Sequence, residues 1–307
     1  MRARGPVVAL LFAACAPARP AGEAPSSLAT PSGEVVGWLA GIPVTLEEVG
    51  DYLKTKDPEA FARGLEGTVL ERAARLEAAR GGVVVPDAVV SRETTRRYKE
   101  WEKRLAETSR DETGQEADPE QWLLHVAGLT VPQFRAFLRR HTEVELLQDR
   151  LIRFEQLASP RVEVSILVVD DAAAARELAG RLRAGADFTA LARERSLHAT
   201  APEGGRIEFP LLSDDFNEEG IATALLAAEP GEIAGPFATR GGGKPFHQIY
   251  RVEACQPARR GGYASLEAEI AGELATRPVH VGEYERWRRR VLLRHGFVGA
   301  PPPGDSG

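Results

Sequence analysis

Cysteine is scarce in this chain, two among 307 residues, Cys15 and Cys255, so the fold must stand on packing rather than on a disulfide framework. Basic residues are outnumbered, 39 Lys and Arg against 45 Asp and Glu, a formal charge of −6. A nucleic-acid binder would want a basic face, and none is implied. The apolar run near the start, Val7 to Ala14, is too short to span a bilayer. No glycine-rich phosphate loop follows a strand, and no internal repeat is present. His141, His198 and His247 lack the clustered spacing of metal ligands, so neither a metal nor a cofactor is expected. Ser165 with His198 as nucleophile and base is set aside as well. No acidic orienter is evident, and no nucleophile-elbow glycines flank the serine.

What is there reads as a globular protein, 27% charged and 43% hydrophobic, long enough for two modest domains. The first residues read as a signal peptide over 1–14. Arg2 and Arg4 form a basic start, and Val7 to Ala14 a short apolar segment. "LLFAAC" then ends at Cys15 and resembles the lipobox of bacterial lipoproteins, with Phe12 where leucine is usual. Cys15 is therefore expected to become an acylated N-terminus, leaving Cys255 as a lone, small core residue. The rival is secretory cleavage after Ala16–Ala18, which would release a soluble protein. Residues 15–33, rich in Ala, Pro, Ser and Gly, form a flexible tether that lets a domain float about 25 Å from its anchor.

"VVGWLAGIPVTLEEVGDYL" predicts strand, turn at Gly41, strand and helix, the helix opened by a Thr45/Glu48 capping box. Asp57-Pro58 opens the next helix, which runs to Gly81-Gly82, and a third follows Pro86-Asp87. Residues 109–118 read as a polar loop. Asp118-Pro119 opens a short helix closed at Gly128, and Thr130 with Gln133 caps a long one carrying Phe134, Phe137, Leu138, Val144, Leu147 and Leu151. Beyond Ser159-Pro160 the character changes. "RVEVSILVVDD" is a strand with Val162, Val164, Ile166 and Val168 on one face and Glu163, Ser165, Leu167 and Val169 on the other. Taken alone, Ser165 reads as a core serine with its hydroxyl satisfied. Two helices, the brief strand "RIEF", a third helix and two closing strands complete a β-α-α-β-α-β-β unit. Two more helices follow Gly262, and the tail 299–307 has nothing to bury.

"SILVVDDAAAARELAGRLRAGADFTALARERS", then "GG", then "EPGEIAGPFAT" resemble the parvulin-type (PpiC-like) peptidyl-prolyl isomerase domain. The flanks resemble the chaperone module of SurA-like and PrsA-like foldases, in which N-terminal and C-terminal helices pack together around an inserted parvulin domain. The resemblance implies an α+β fold with a helical module over 34–158 and 262–298. A small antiparallel sheet flanked by helices is inserted at 159–256. Trp287 is expected to be buried against the long helix that bears Phe134 and Leu138.

The family twists a bond whose barrier is about 18–20 kcal/mol, gripping the proline ring in an apolar pocket above a polar network. The resemblance places Ser165 at the first-strand histidine and His198 at the Asp or Cys after the second helix. His247 or Gln248, depending on register, falls at the last-strand histidine. Arg206 replaces the acid that follows the family's glycines, and Phe209, Phe216, Ile221 and Phe246 stand in for the apolar walls. The expected function is an envelope foldase, lipid-anchored on the periplasmic side of the outer membrane, that binds unfolded or nascent secreted and outer-membrane polypeptides. With serine for histidine, its catalytic network is expected to be degenerate. An active isomerase and a non-catalytic assembly subunit are the alternatives.

Overall fold

The computed structural model describes residues 34–39, 42–216, 219–241 and 244–297. The signal segment, Cys15, the tether and the C-terminal tail lie outside them. The described residues divide into two compact units, one of residues 34–71 with 296–297 and one of residues 72–295.

In the first unit a hairpin of β1 (Val35–Leu39) and β2 (Ile42–Thr45) leads into α1 (Leu46–Lys56). The predicted capping box is formed. The Thr45 hydroxyl accepts from the Glu48 amide, and the Glu48 carboxylate accepts from the Thr45 amide at 2.7 Å. Asp57 then caps α2 (Pro58–Gly81) by accepting from the Ala60 amide at 2.9 Å.

The second unit holds a helical scaffold and a small sheet. In the scaffold, α3 (Asp87–Thr113) packs along α5 (Val131–Ala158), with α4 (Pro119–Trp122) and a turn of π-helix between them in sequence. α3 continues to Thr113, into residues expected to be loop, and ends at Gly114, whose left-handed backbone (φ 75°) lets its amide donate to the Arg110 carbonyl. Trp101 is the centre of an aromatic cluster, 4.7 Å from the Phe134 ring and 6.0 Å from that of Trp122. The C-terminal half of α5 is buried through Leu147, Leu151, Ile152 and Leu157. α9 (Tyr263–Thr276) lies against it, with Tyr263 edge-on to Phe154, and α10 (Val281–Arg294) follows.

Trp287 is 2% exposed and lines a cavity of about 290 Å³ with Leu151 and Phe154. Trp287 is thus buried against α5, at its C-terminal half, whereas Phe134 of the same helix belongs to the aromatic cluster with α3. Deeper still, Arg153 is fully buried and donates to Gln156 at 2.6 Å and to Glu283 at 3.3 Å, tying α5 to α10.

The sheet follows the order β4-β3-β6-β5, antiparallel throughout. Its strands are β3 (Arg161–Val169), β4 (Leu211–Leu212), β5 (Ile233–Gly241) and β6 (Lys244–Gln256). α6 (Ala172–Arg183), capped by Asp171, and α7 (Phe188–Arg195) follow β3, and α8 (Glu219–Ala227) precedes β5. The expected strand at "RIEF" is reduced to a single bridge between Arg206 and Ser165, and regular pairing resumes only at Leu211.

β3 is buried on both sides. Val162, Val164, Ile166 and Val168 pack with Tyr250, Val252, Ile221 and Leu225. Leu167 and Val169 pack with Ile249, Phe188 and the apolar sides of α6 and α7.

Candidate functional site

The sheet's α8 side gathers the expected apolar residues. Tyr250, 4% exposed on β6, is its centre. The Phe216 ring stands edge-on to Tyr250 at 6.1 Å, and that of Phe237 is tilted against it at 6.2 Å. Ile221 is buried beside them, and Phe209, Phe216, Phe237 and Phe246 are half-buried on the same cluster. All four expected apolar walls therefore meet here, and Phe237 joins them. The Tyr250 hydroxyl donates to Gln248 Oε1 at 2.8 Å, so the floor of this apolar surface ends in one polar pair. Burial pushes the Tyr250 phenol well above its ordinary value and keeps it a neutral donor.

Ser165 is not part of it. It pairs with Arg251 across the sheet, so it faces α6 and α7 together with Leu167 and Ile249. Its hydroxyl donates to Glu253 at 2.5 Å, and Glu253 is held in turn by Arg251 at 2.8–2.9 Å. The Arg251 guanidinium lies 5.2 Å from the Phe188 ring centre. Placing Ser165 at a site-facing position is thereby corrected. The cause is the two-residue period of a strand, in which a shift of one residue exchanges the faces. The residues of β3 and β6 that do face the site and pair with one another are Ile166 and Tyr250. His247 pairs with Val169 and falls on Ser165's side, while Gln248 falls on the site's. Neither strand presents a histidine to the aromatic cluster.

His198 arrives by a loop. Ser196 Oγ accepts from the Val168 amide at 3.1 Å and from the His198 amide at 3.2 Å, fixing the exit from α7 beside β3. Further on, the Ile166 amide donates to the Gly205 carbonyl at 2.7 Å. Gly205 has φ +82°, and a Cβ there would collide with the Ile166 carbonyl oxygen, so the approach needs glycine. His198 Nδ1 accepts from the Thr200 amide at 3.2 Å and lies 2.9 Å from the Thr200 hydroxyl. Burial, and after it the Arg286 cation, hold its pKa below 6.5, so the ring is neutral at pH 7 with its proton on Nε2. Ser165 and His198 keep separate partners and form no nucleophile–base pair.

The sequence reading missed the contribution of α10. Arg286 donates to the Asp215 carbonyl at 3.1 Å, and its guanidinium carbon lies 5.8 Å from the Phe209 ring centre. Burial pulls its pKa below that of an ordinary arginine, opposed by the Asp215 carboxylate. Arg290, beside it, pairs with the buried Asp215 carboxylate and with Glu155 of α5. At the start of α10, His280 stacks on Phe209 at 5.1 Å and meets Glu208 at 3.2 Å. A Cβ on Gly282 would strike the Phe209 ring, so the helix sits hard against this wall. The only signal for this in the sequence is "RWRRR", which reads as a solvated helix face.

Cys255, half-buried, donates to the Leu225 carbonyl at 3.4 Å, and burial pushes its thiol pKa up. Among the described residues no three of His, Cys, Asp and Glu gather as metal ligands do. Nor is any described helix long and apolar enough to cross a membrane.

The comparisons with known proteins bear on the same segment. Residues 169–250 match the family model described as "Rotamase: PPIC-type PPIASE domain". No curated protein matches the chain. Among solved structures, PrsA from Bacillus anthracis is 15% identical, with 77% of this chain and 99% of that one covered, at a TM-score of 0.37. PrsA from Bacillus subtilis is 19% identical, with 89% and 96% covered, at 0.30. A structure titled for the SurA-like chaperones PEB4 and Cj1289 of Campylobacter jejuni is 13% identical, with 87% and 100% covered, at 0.30. Likenesses this distant carry no functional argument. The family match runs from the end of β3 into β6: residues 169–250 match a PPIC-type, parvulin-type peptidyl-prolyl isomerase domain.

Proposed function

We propose that the chain is an envelope foldase that holds extended, proline-bearing segments of unfolded secreted or outer-membrane polypeptides against the aromatic surface around Tyr250. In this reading residues 159–256 are the binding domain, and 34–158 with 262–298 are the helical module that carries it. Isomerase activity is weak or absent. The observation that carries the proposal is the pairing of Ile166 with Tyr250 at the centre of the site. An apolar surface of four half-buried phenylalanines can grip a prolyl ring, but no histidine pair stands beneath the amide. Losing one such preorganised polar group reduces catalysis by roughly 10²–10³. Acylation of Cys15 and a tether of polar residues would place the domain at a membrane surface.

A second reading, an active isomerase, is favoured by one observation. The Arg286 cation lies within electrostatic reach of both His198 and the Tyr250 hydroxyl, and the three could supply a substitute network.

A prolyl-peptide isomerisation assay on the full chain, run beside suppression of aggregation of an unfolded protein, separates the two. Suppression with little or no acceleration is the expected result. Acceleration lost in His198→Ala makes the protein an enzyme, and no effect in either assay sinks the foldase reading. Mass spectrometry of the processed protein should find lipid on Cys15. An unmodified N-terminus at Arg19 would overturn the anchor.

A further inference from the structure

The acidic residues on and around α10 are spoken for. Glu283 is buried against Arg153, and Glu285 pairs with Arg288 at 2.9 Å. The Glu208 carboxylate meets His280. Asp215, the carboxylate beside Arg286 among the described residues, accepts from the Leu212 amide at 2.9 Å and is paired with Arg290. Arg286 itself makes, among the described residues, a single hydrogen bond, to a neutral carbonyl. A guanidinium carries five N–H donors, so most of its capacity is unused. It is half-buried rather than solvated, against the ring of Phe209, where a charge is screened less than in open water. Arg289 adds a second cation on the exposed side of the same helix. Among the described residues, Arg286 is therefore a half-buried cation with spare donors at the edge of the aromatic site.

We propose that Arg286 is a specificity-determining residue of this site, whose guanidinium takes the carboxylate of an aspartate or glutamate flanking the bound proline. The proposal rests on the peptide-binding reading above and deepens it. The proline ring is gripped by apolar walls that cannot tell one neighbour from another. A planar fork of donors held on a rigid helix supplies that discrimination, because carboxylate matches it in charge and geometry and an ammonium is repelled. That the fork comes from α10, distant in sequence from the sheet, makes selectivity a property of the assembled chain.

The test is fluorescence anisotropy with the full chain and four labelled peptides of one length, differing only at the residues beside a central proline. They carry glutamate before it, glutamate after it, glutamine on both sides, or lysine on both sides. At least one glutamate peptide should bind about tenfold tighter than the lysine peptide, with glutamine between them and the ratio shrinking as salt rises. Arg286→Gln should bring the glutamate-to-lysine ratio to within about twofold, and Arg286→Lys should retain part of it. Equal binding of all four by the wild-type chain overturns the proposal while leaving the foldase reading intact, whether or not the glutamine variant folds. So does an acidic preference that survives in folded Arg286→Gln. Failure of every peptide to bind sinks both.

Discussion

The two faces of the small sheet are built from the same strands and finished in opposite ways. The face toward α6 and α7 is closed: Leu167, Val169, Ile249 and Phe188 are at most 6% exposed. Its polar residues Ser165, Arg251 and Glu253 satisfy one another. The face toward α8 has an equally dense floor in Val164, Ile166 and Val252, yet leaves four phenylalanines half-buried above it. Apolar surface is left part-open only where something is to cover it, and burial forgone there lowers stability. The closed face contributes stability, and in the proposed reading the open face is where a peptide is held.

The sharpest way to break this contrast is to remove one aromatic ring from each side. Phe188→Ala should cost about 3–5 kcal/mol of folding stability, as large cavities do, while the fraction that remains folded binds peptide as before. Trp287→Ala, in the scaffold, should cost about as much for the same reason. Phe216→Ala should cost only about 1–2 kcal/mol, since its ring is already half in water, yet weaken peptide binding severalfold. Denaturant titration and peptide binding on all three variants check this. Equal losses of stability and binding at Phe188 and Phe216 would erase the distinction between the faces.

The elements of the fold were largely legible in the sequence, and the site's polar groups were not. Thr45 with Glu48 and Thr130 with Gln133 announce helix starts because capping is local chemistry, readable over four residues. The phenylalanines converge as expected because they are the large apolar groups of a short segment. Ser165 misled because β3 is buried on both faces, so alternation gives no sign of which face holds the site. Arg286 and Tyr250 were missed for a different reason. Arg286 reaches the site from a helix more than a hundred residues along the chain from Ser165, and nothing local distinguishes it from Arg288 or Arg289.

A smaller effect tests Ser165 itself. Ser165→Ala should cost about 1 kcal/mol, the net worth of one hydrogen bond, because Glu253 keeps its pairing with Arg251. Binding and any isomerase activity should not change. A loss of activity larger than the loss of folded protein would return Ser165 to the site and reverse the assignment of the faces.

The smallest effect expected is a dependence on pH carried by His198. Its pKa in the folded chain lies below 6.5, first through burial and then through the Arg286 cation. The unfolded chain therefore binds the proton more readily, and the contribution to stability has a definite sign. It is complete above about pH 6.5, the ordinary histidine value, and is lost as pH falls from there through the lowered folded value. Below that window the imidazolium would stand near Arg286 with Nδ1 still facing the Thr200 amide, and a protonated nitrogen cannot accept that hydrogen bond. The same protonation would add a cation to the rim and draw acidic peptides more strongly, so stability and affinity should move in opposite directions on acidification. His198→Ala should flatten both trends between about pH 5 and 6.5 while leaving the closed face untouched. Thermal melts and peptide titrations across that range measure the two together. Parallel changes in the wild-type chain and the variant would show that His198 is not the titrating group.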